Sequence, residues 1–281
     1  MIRLIGLDLD GTLLTRDKRI TQKTRNALDE ASRNGVYIVP VTGRPLSGIP
    51  SQVTSFSFIR YVITSNGAVV TDRQTGRTIR KRCMTVETAE KVLRTTEGEG
   101  IIREFFTEGT GFHDRQTRAL LWKKFSGTPI LRYLEKSRFQ VDDFYRSLKE
   151  KKSGIENLSI MFRSQQERDR VVEKVRKIEG IRIIFPMPTD IEITSDKADK
   201  GEALIALAKE LGISGEEVMA MGDGDNDLGL MRAAGLSVAM GNADQKIRDE
   251  ADYVTLDNEH DGVAEAIRRF VLGNENGDGK S

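Results

Sequence analysis

The chain has 281 residues, 38% of them hydrophobic and 31% charged, which is room for one large domain or two medium ones with a substantial core. A formal net charge of +1 excludes the global basic field of a nucleic-acid binder and the acidic excess of a disordered chain. A single cysteine, Cys83, excludes an intramolecular disulfide framework and a cysteine-rich zinc site, and the two histidines, His113 and His260, form no ligand-spacing motif.

In chain order, the first predicted element is a buried strand at 2–7, apolar on both faces. A helix follows over 21–34, carrying Ala27, Leu28 and Ala31 on one face and stopped by Gly35. Strands are predicted at 36–41 and 61–64. The alternation then breaks. Residues 84–187 hold helical stretches at 85–97 and 164–178 and strand-like runs at 157–162 and 181–185, an order that predicts a separate α+β unit inserted into the first domain. A strand-like run at 190–194 returns the chain to the frame. There a helix over 202–211, stopped by Gly212, and strands at 218–221 and 236–239 complete the pattern. Strands of this kind alternating with helices predict an α/β fold, a Rossmann-like parallel-sheet core covered on both sides. The expected domains are a core of 1–83 and 188–272, an inserted cap of 84–187, and a disordered tail over 273–281 made almost wholly of small and polar residues.

The insert is mildly basic and the frame mildly acidic. Lys123, Lys124 and the lysines of 149–152 are read as solvated, with Trp122 and Phe125 as core, so no nucleic-acid partner is expected. No apolar run approaches the ~18 residues of a membrane span, and the start of the chain lacks the order of a signal peptide, so no membrane partner and a cytoplasmic location are expected.

Ligands of an open parallel sheet bind beyond the carboxyl ends of its strands, so the residues that follow each run matter most. These are Asp8 and Asp10, then Thr42-Gly43-Arg44, then Ser65-Asn66-Gly67, then Gly222-Asp223-Gly224-Asp225-Asn226-Asp227. Several acids converging on one edge need a counter-charge, which Mg²⁺ supplies through carboxylate, carbonyl and water oxygens. The glycines after Asp10, Thr42 and Asp223 suit tight turns whose N–H groups approach phosphate oxygens. A nucleotide P-loop is absent, and no Gly-x-Gly-x-x-Gly follows the first strand. A calcium loop starting at Asp223 fails because Leu228 stands where glycine is needed and Ala234 where the bidentate glutamate belongs.

Together these stretches resemble the haloacid dehalogenase-like phosphohydrolases, and within them the Cof-type sugar-phosphate phosphatases. Four motifs match in order: Asp8-Leu9-Asp10-Gly11-Thr12, Thr42-Gly43-Arg44, Asp199-Lys200-Gly201 and the Gly222 to Asp227 loop. Asn66-Gly67-Ala68 and Val238-Ala239-Met240-Gly241-Asn242-Ala243 are similar as well, as is the position of the cap between the second and third motifs. The resemblance implies a Mg²⁺-dependent phosphatase acting on a small phosphorylated substrate. In it Asp8 is the nucleophile and a metal ligand, and Asp10 is the acid/base, contributing a backbone carbonyl to the metal. Asp223 and Asp227 complete the metal shell, with Asp227 bound directly or through water. Thr42, Gly43, Lys200 and Asn226 are implied at the phosphate, and Arg44 and Asn66 toward the substrate. A phosphomutase or phosphotransferase using the same aspartyl-phosphate, and a non-catalytic binding module, are the alternatives. The oligomeric state and the cap residues that set specificity are left open by the sequence.

Overall fold

The computed structural model describes residues 1–273, so all but Gly273 of the expected disordered tail lies outside the described residues. The chain divides into two compact units, one of residues 1–42, 50–80 and 199 onward, the other of residues 43–49 and 81–198.

The first unit is built on a five-stranded parallel sheet in the order Tyr253–Val254, Leu236–Ala239, Val218–Gly222, Leu4–Leu7, Tyr37–Pro40. Leu4–Leu7 lies inside the sheet, with Leu4 opposite Val218 on one side and Tyr37 on the other. All four of its residues are buried, because a strand covered on both faces has no solvent side. The helix Gln22–Arg33 is started by Thr21, whose side chain accepts from the Thr24 amide, and buries Ala27, Leu28 and Ala31. The helix Lys200–Glu210 is capped by Asp199, which accepts from the Glu202 amide. It sets Ala203, Leu204 and Leu207 against Leu4, Val39, Val218 and Ala220 of the sheet. Truncating Leu204 to Ala there would cost about 2–5 kcal/mol.

The strand Tyr61–Thr64 forms where expected but in a different sheet. It pairs antiparallel with Val69–Asp72 in a three-stranded sheet whose outer member is Thr78–Lys81. A parallel bridge between Val41 and Ile63 runs from it to the residue that follows Tyr37–Pro40 of the main sheet. The sharp Ser65-Asn66-Gly67 turn sends the chain straight back as a hairpin, and a hairpin satisfies backbone groups more locally than a helical crossover would.

The second unit carries a six-stranded sheet in the order Ile181–Met187, Asp190–Ser195, Asn157–Met161, Ile102–Thr107, Thr110–His113, Arg138–Gln140, antiparallel except for its last pair. Helices Val86–Thr95, Phe144–Lys149 and Gln165–Val175 pack on one apolar layer around Phe105, Leu158, Ile160 and Ile191. Helices Arg115–Phe125 and Pro129–Ser137 supply a second cluster with Ile102, Leu121 and Leu134, against which Trp122, Phe125 and Tyr133 pack.

The expected cap of 84–187 stops short of this unit at both ends. Asp190–Ser195 is paired on both sides, with Ile181–Met187 and Asn157–Met161, so 188–198 cannot be parted from the second sheet. The run at 190–194 is therefore an interior strand of that sheet and not the return to the core. The loop 43–49 also belongs here, since the Ser47 amide donates to the Gly109 carbonyl at 2.9 Å. Among the described residues no helix is long and apolar enough to cross a membrane.

Candidate active site

The Asp8 amide continues the sheet ladder, donating to the Met221 carbonyl at 3.0 Å, so the strand itself fixes where that carboxylate stands. The chain then turns at Gly11, whose φ is +89°. A Cβ at this position would lie 2.1 Å from Asp223 Oδ2, so the turn demands glycine both for its left-handed backbone and for room. Thr12 Oγ1 donates to Asp223 Oδ1 at 3.1 Å. Asn242 Nδ2 donates to the Gly11 carbonyl at 2.9 Å and to Asp223 Oδ2 at 3.3 Å.

Behind these groups sits Lys200, the first residue of its helix, 1% exposed. Its Nζ lies 2.7 Å from Asp8 Oδ1 and 2.7 Å from Asp227 Oδ1. The other Asp227 oxygen accepts from the amides of Asp223 and Gly224, at 3.1 and 3.0 Å. One carboxylate thus holds both the ammonium and the loop that presents Asp223.

Asp8, Asp223 and Asp227 bring carboxylate oxygens within 4.8 Å of one another, three acids against one ammonium. Burial first, and then this excess of negative charge, raises two of the carboxyls, Asp8 and Asp223. Burial pushes Asp8 well above the usual carboxylate range; Lys200 pulls the other way, while Asp227 and Asp223 add to the rise. Asp223 is pushed up to about 6, by burial first and then by Asp227. Burial alone would depress the Lys200 ammonium, but Asp227 and Asp8 outweigh it and its pKa rises. An all-oxygen donor set short of positive charge fits a hard divalent cation.

Asp10 stands at the more exposed rim, its Oδ1 2.7 Å from Lys18 Nζ. Thr42 is buried in the first unit, its amide donating to the Ile63 carbonyl at 2.9 Å, and its own carbonyl accepts from the Asn66 amide at 3.0 Å. Ser65 and Asn66 both adopt left-handed backbone, φ 51° and 55°, a sparsely populated state for residues with a Cβ that aims the Asn66 side chain. Asn226 Nδ2 donates to Asn66 Oδ1 at 3.1 Å, joining the third and last loops of the site. Asp225 turns outward to Lys246 at 3.3 Å.

The first unit therefore brings together Asp8, Asp10, Thr42, Asn66, Lys200, Asp223, Asn226 and Asp227. Gly43 and Arg44 are grouped by their contacts with the second unit instead. Thr12 and Asn242 brace Asp223, and Lys18 pairs with Asp10, although sequence reasoning assigned none of the three a role. The first two fall inside motif stretches already quoted, but nothing in a sequence says which neighbour a hydroxyl or amide will brace.

The family model for haloacid dehalogenase-like hydrolases matches residues 5–267. The chain is 32% identical to the 5-amino-6-(5-phospho-D-ribitylamino)uracil phosphatase YcsE of Bacillus subtilis, covering 96% of each chain. It is 31% identical to Phosphatase YwpJ of the same organism, over 96% of this chain and all of the relative. Among solved structures, a haloacid dehalogenase-like hydrolase from B. subtilis superposes with a TM-score of 0.83 at 30% identity, covering 96% of this chain and 100% of that one. A sugar phosphatase of subclass IIB superposes with a TM-score of 0.81 at 26% identity, covering 95% and 98%. Parallel sheet, inserted antiparallel cap, motif residues and relatives agree: the chain belongs to the haloacid dehalogenase-like hydrolases, in their Cof-type group, and is a phosphoric monoester hydrolase.

Proposed function

We propose that this phosphatase is Mg²⁺-dependent and hydrolyses a small phosphorylated metabolite, a sugar phosphate in the first instance, through an aspartyl-phosphate on Asp8. The observation that carries the reading is the Lys200 ammonium held 2.7 Å from Asp8, behind the carboxylate that would attack.

In the first half-reaction an Asp8 oxygen attacks phosphorus in line, the bond to the leaving oxygen breaks, and Asp10 delivers its proton to that oxygen. In the second, Asp10 takes a proton from water, the water oxygen displaces Asp8 from phosphorus, and phosphate and a free Asp8 carboxylate result. Lys200 offsets the charge shared by Asp8 and the transferring group, and Thr42 with the Gly43 amide binds its non-bridging oxygens. Asn66 and Arg44 are assigned to the substrate by their motif positions, and Asn226 orients Asn66. Asp8, Asp223 and the Asp10 carbonyl would hold Mg²⁺, which when bound supplies charge neutralisation for the phosphoryl oxygens. Asp227, both of whose oxygens already accept from Lys200 or backbone amides, would help to hold the metal through water.

The named activities of the relatives, one on a phosphorylated ribityl compound and one on sugars, support a polyol or sugar phosphate as the substrate class. The second unit would serve as the specificity cap, in a cytoplasmic enzyme. The test is phosphate release from a panel of phosphorylated sugars, nucleotides and acids, with and without Mg²⁺. Release from sugar phosphates in step with dephosphorylated product, and only with the metal, is the expected result. Recovery of an isomerised phosphate ester would make the enzyme a mutase, and metal-independent release would sink the Mg²⁺ assignment.

A further inference from the structure

Arg44 directly follows the Thr42-Gly43 pair proposed to bind phosphate, and it belongs with the second unit, where its side chain has two contacts of note. Its Nη1 donates to the Gly48 carbonyl at 3.1 Å, and its guanidinium carbon stands 5.1 Å from the centre of the Tyr133 ring. Tyr133 comes from the helix Pro129–Ser137, and the same ring has the guanidinium carbon of Arg138 at 4.6 Å. The ring also lies close to the loop, since a Cβ on Gly48 would meet the Tyr133 hydroxyl at 2.8 Å.

Arg138 is itself pinned. Its Nε donates to Glu104 Oε1 at 3.2 Å and its Nη1 to Ser137 Oγ at 2.6 Å, and its side chain is 7% exposed. Glu104 is fully buried and is also bonded to His113 Nδ1 at 3.2 Å. A buried carboxylate costs stability unless it is matched by charge and hydrogen bonds, and Arg138 and His113 provide both. The result is a continuous line of fixed groups running His113, Glu104, Arg138, Tyr133, Arg44, from the middle of the second sheet to the loop beside Thr42.

From this arrangement we infer that Tyr133 is a positioning residue for substrate recognition: its ring sets the plane of the Arg44 guanidinium, so that Arg44 meets the substrate preorganised. An arginine side chain carries large rotamer freedom, and binding that must first freeze it is weaker than binding to one already held. A guanidinium held by a hydrogen bond and a ring face has fewer orientations open to its fork, and an aromatic face supplies that hold through the cation–π attraction. The inference rests on the substrate-facing role proposed for Arg44.

The test uses the full chain with Mg²⁺ and the sugar phosphate that the wild-type enzyme hydrolyses fastest. Arg44→Ala is expected to raise KM by about tenfold with kcat little changed, the pattern of lost ground-state binding. Tyr133→Leu should raise KM by about three- to tenfold, and Tyr133→Phe, which keeps the ring, should stay near wild type. The Arg44→Ala/Tyr133→Leu double variant should be no worse than Arg44→Ala alone, because the ring acts only through the guanidinium. If Tyr133→Leu fails to fold, Tyr133→Gln takes its place in the cycle. Additive effects in the double variant, a fall in kcat without a rise in KM, or a normal Tyr133→Leu beside an impaired Arg44→Ala would overturn the positioning role alone. A wild-type KM in Arg44→Ala would overturn the reading of Arg44 itself, and this inference with it.

Discussion

Lys200 donates to Asp8 at 2.7 Å across a sequence separation of 192 residues. An ammonium buried this completely is held by the two carboxylates it touches, and they in turn need it. Lys200→Ala would leave Asp8 and Asp227 facing each other unneutralised. We expect turnover to fall by about 10²–10³-fold and the metal-free protein to lose about 3–5 kcal/mol. Urea unfolding with and without Mg²⁺ checks this, and the loss should shrink when the cation is present.

Asp8→Asn removes the nucleophile while preserving shape and most hydrogen bonds. Phosphate release should drop by at least about 10³-fold with a near-unchanged far-ultraviolet spectrum. Residual turnover near the wild-type rate would place the covalent step on some other residue.

How much of this was legible beforehand differs from residue to residue. Asp8, Asp10 and Asp223 could be read as site candidates because several acid- and glycine-bearing strand ends of one parallel sheet fall on the same edge, where any one alone reads as an ordinary turn. Lys200 alone would have been one lysine among many, and only its motif neighbours raised it. The strand Tyr61–Thr64 was found to the residue, yet its sheet was not, since periodicity reports burial and is silent about partners. The cap boundary failed for the same reason: Asp190–Ser195 reads as a strand in either unit, and hydrogen bonding decides which. Bracing contacts such as Thr12 and Asn242 to Asp223 depend on side-chain geometry that residue types do not encode.

Asp223, raised to about 6 in the metal-free fold, predicts a specific pH response. A carboxyl with a folded pKa above its unfolded value favours the native state while protonated. Its contribution is fully present below pH 4 or so and is lost as pH rises through about 6. Metal-free protein should therefore gain stability from this group on going from neutral pH to about pH 5. Mg²⁺ affinity should move the opposite way, weakening below about pH 6 as protons compete for Asp223. Calorimetric titration with MgCl₂ at several pH values reads both the affinity and the protons released, and an affinity flat from pH 5 to 8 would falsify the assignment of Asp223 as a ligand.

Two glycine substitutions separate backbone strain from site geometry. Gly11 and Gly35 both have positive φ, 89° and 82°, but a Cβ meets Asp223 Oδ2 at 2.1 Å in the first case and nothing within 4 Å in the second. Gly35→Ala should cost about 1–2 kcal/mol and leave activity intact. Gly11→Ala should displace Asp223, weakening the Mg²⁺ requirement curve as well as stability. Thermal melts and the Mg²⁺ concentration for half-maximal activity discriminate them.

The interior position of Leu4–Leu7 in its sheet has a consequence for synthesis on the ribosome. The strand is made well before its neighbour Val218–Gly222 and the Lys200 ammonium that pairs with Asp8, which arrive only after the whole inserted unit has been translated. At about 5–20 residues per second the 192 residues between Asp8 and Lys200 take ~10–40 s to emerge. Throughout that interval the nascent chain carries an apolar strand with one unpaired edge and an acid with no buried partner. The last third of the polypeptide thus closes the sheet and completes the catalytic pocket in one event, so a prematurely terminated chain would be exposed to aggregation and quality control rather than partly active.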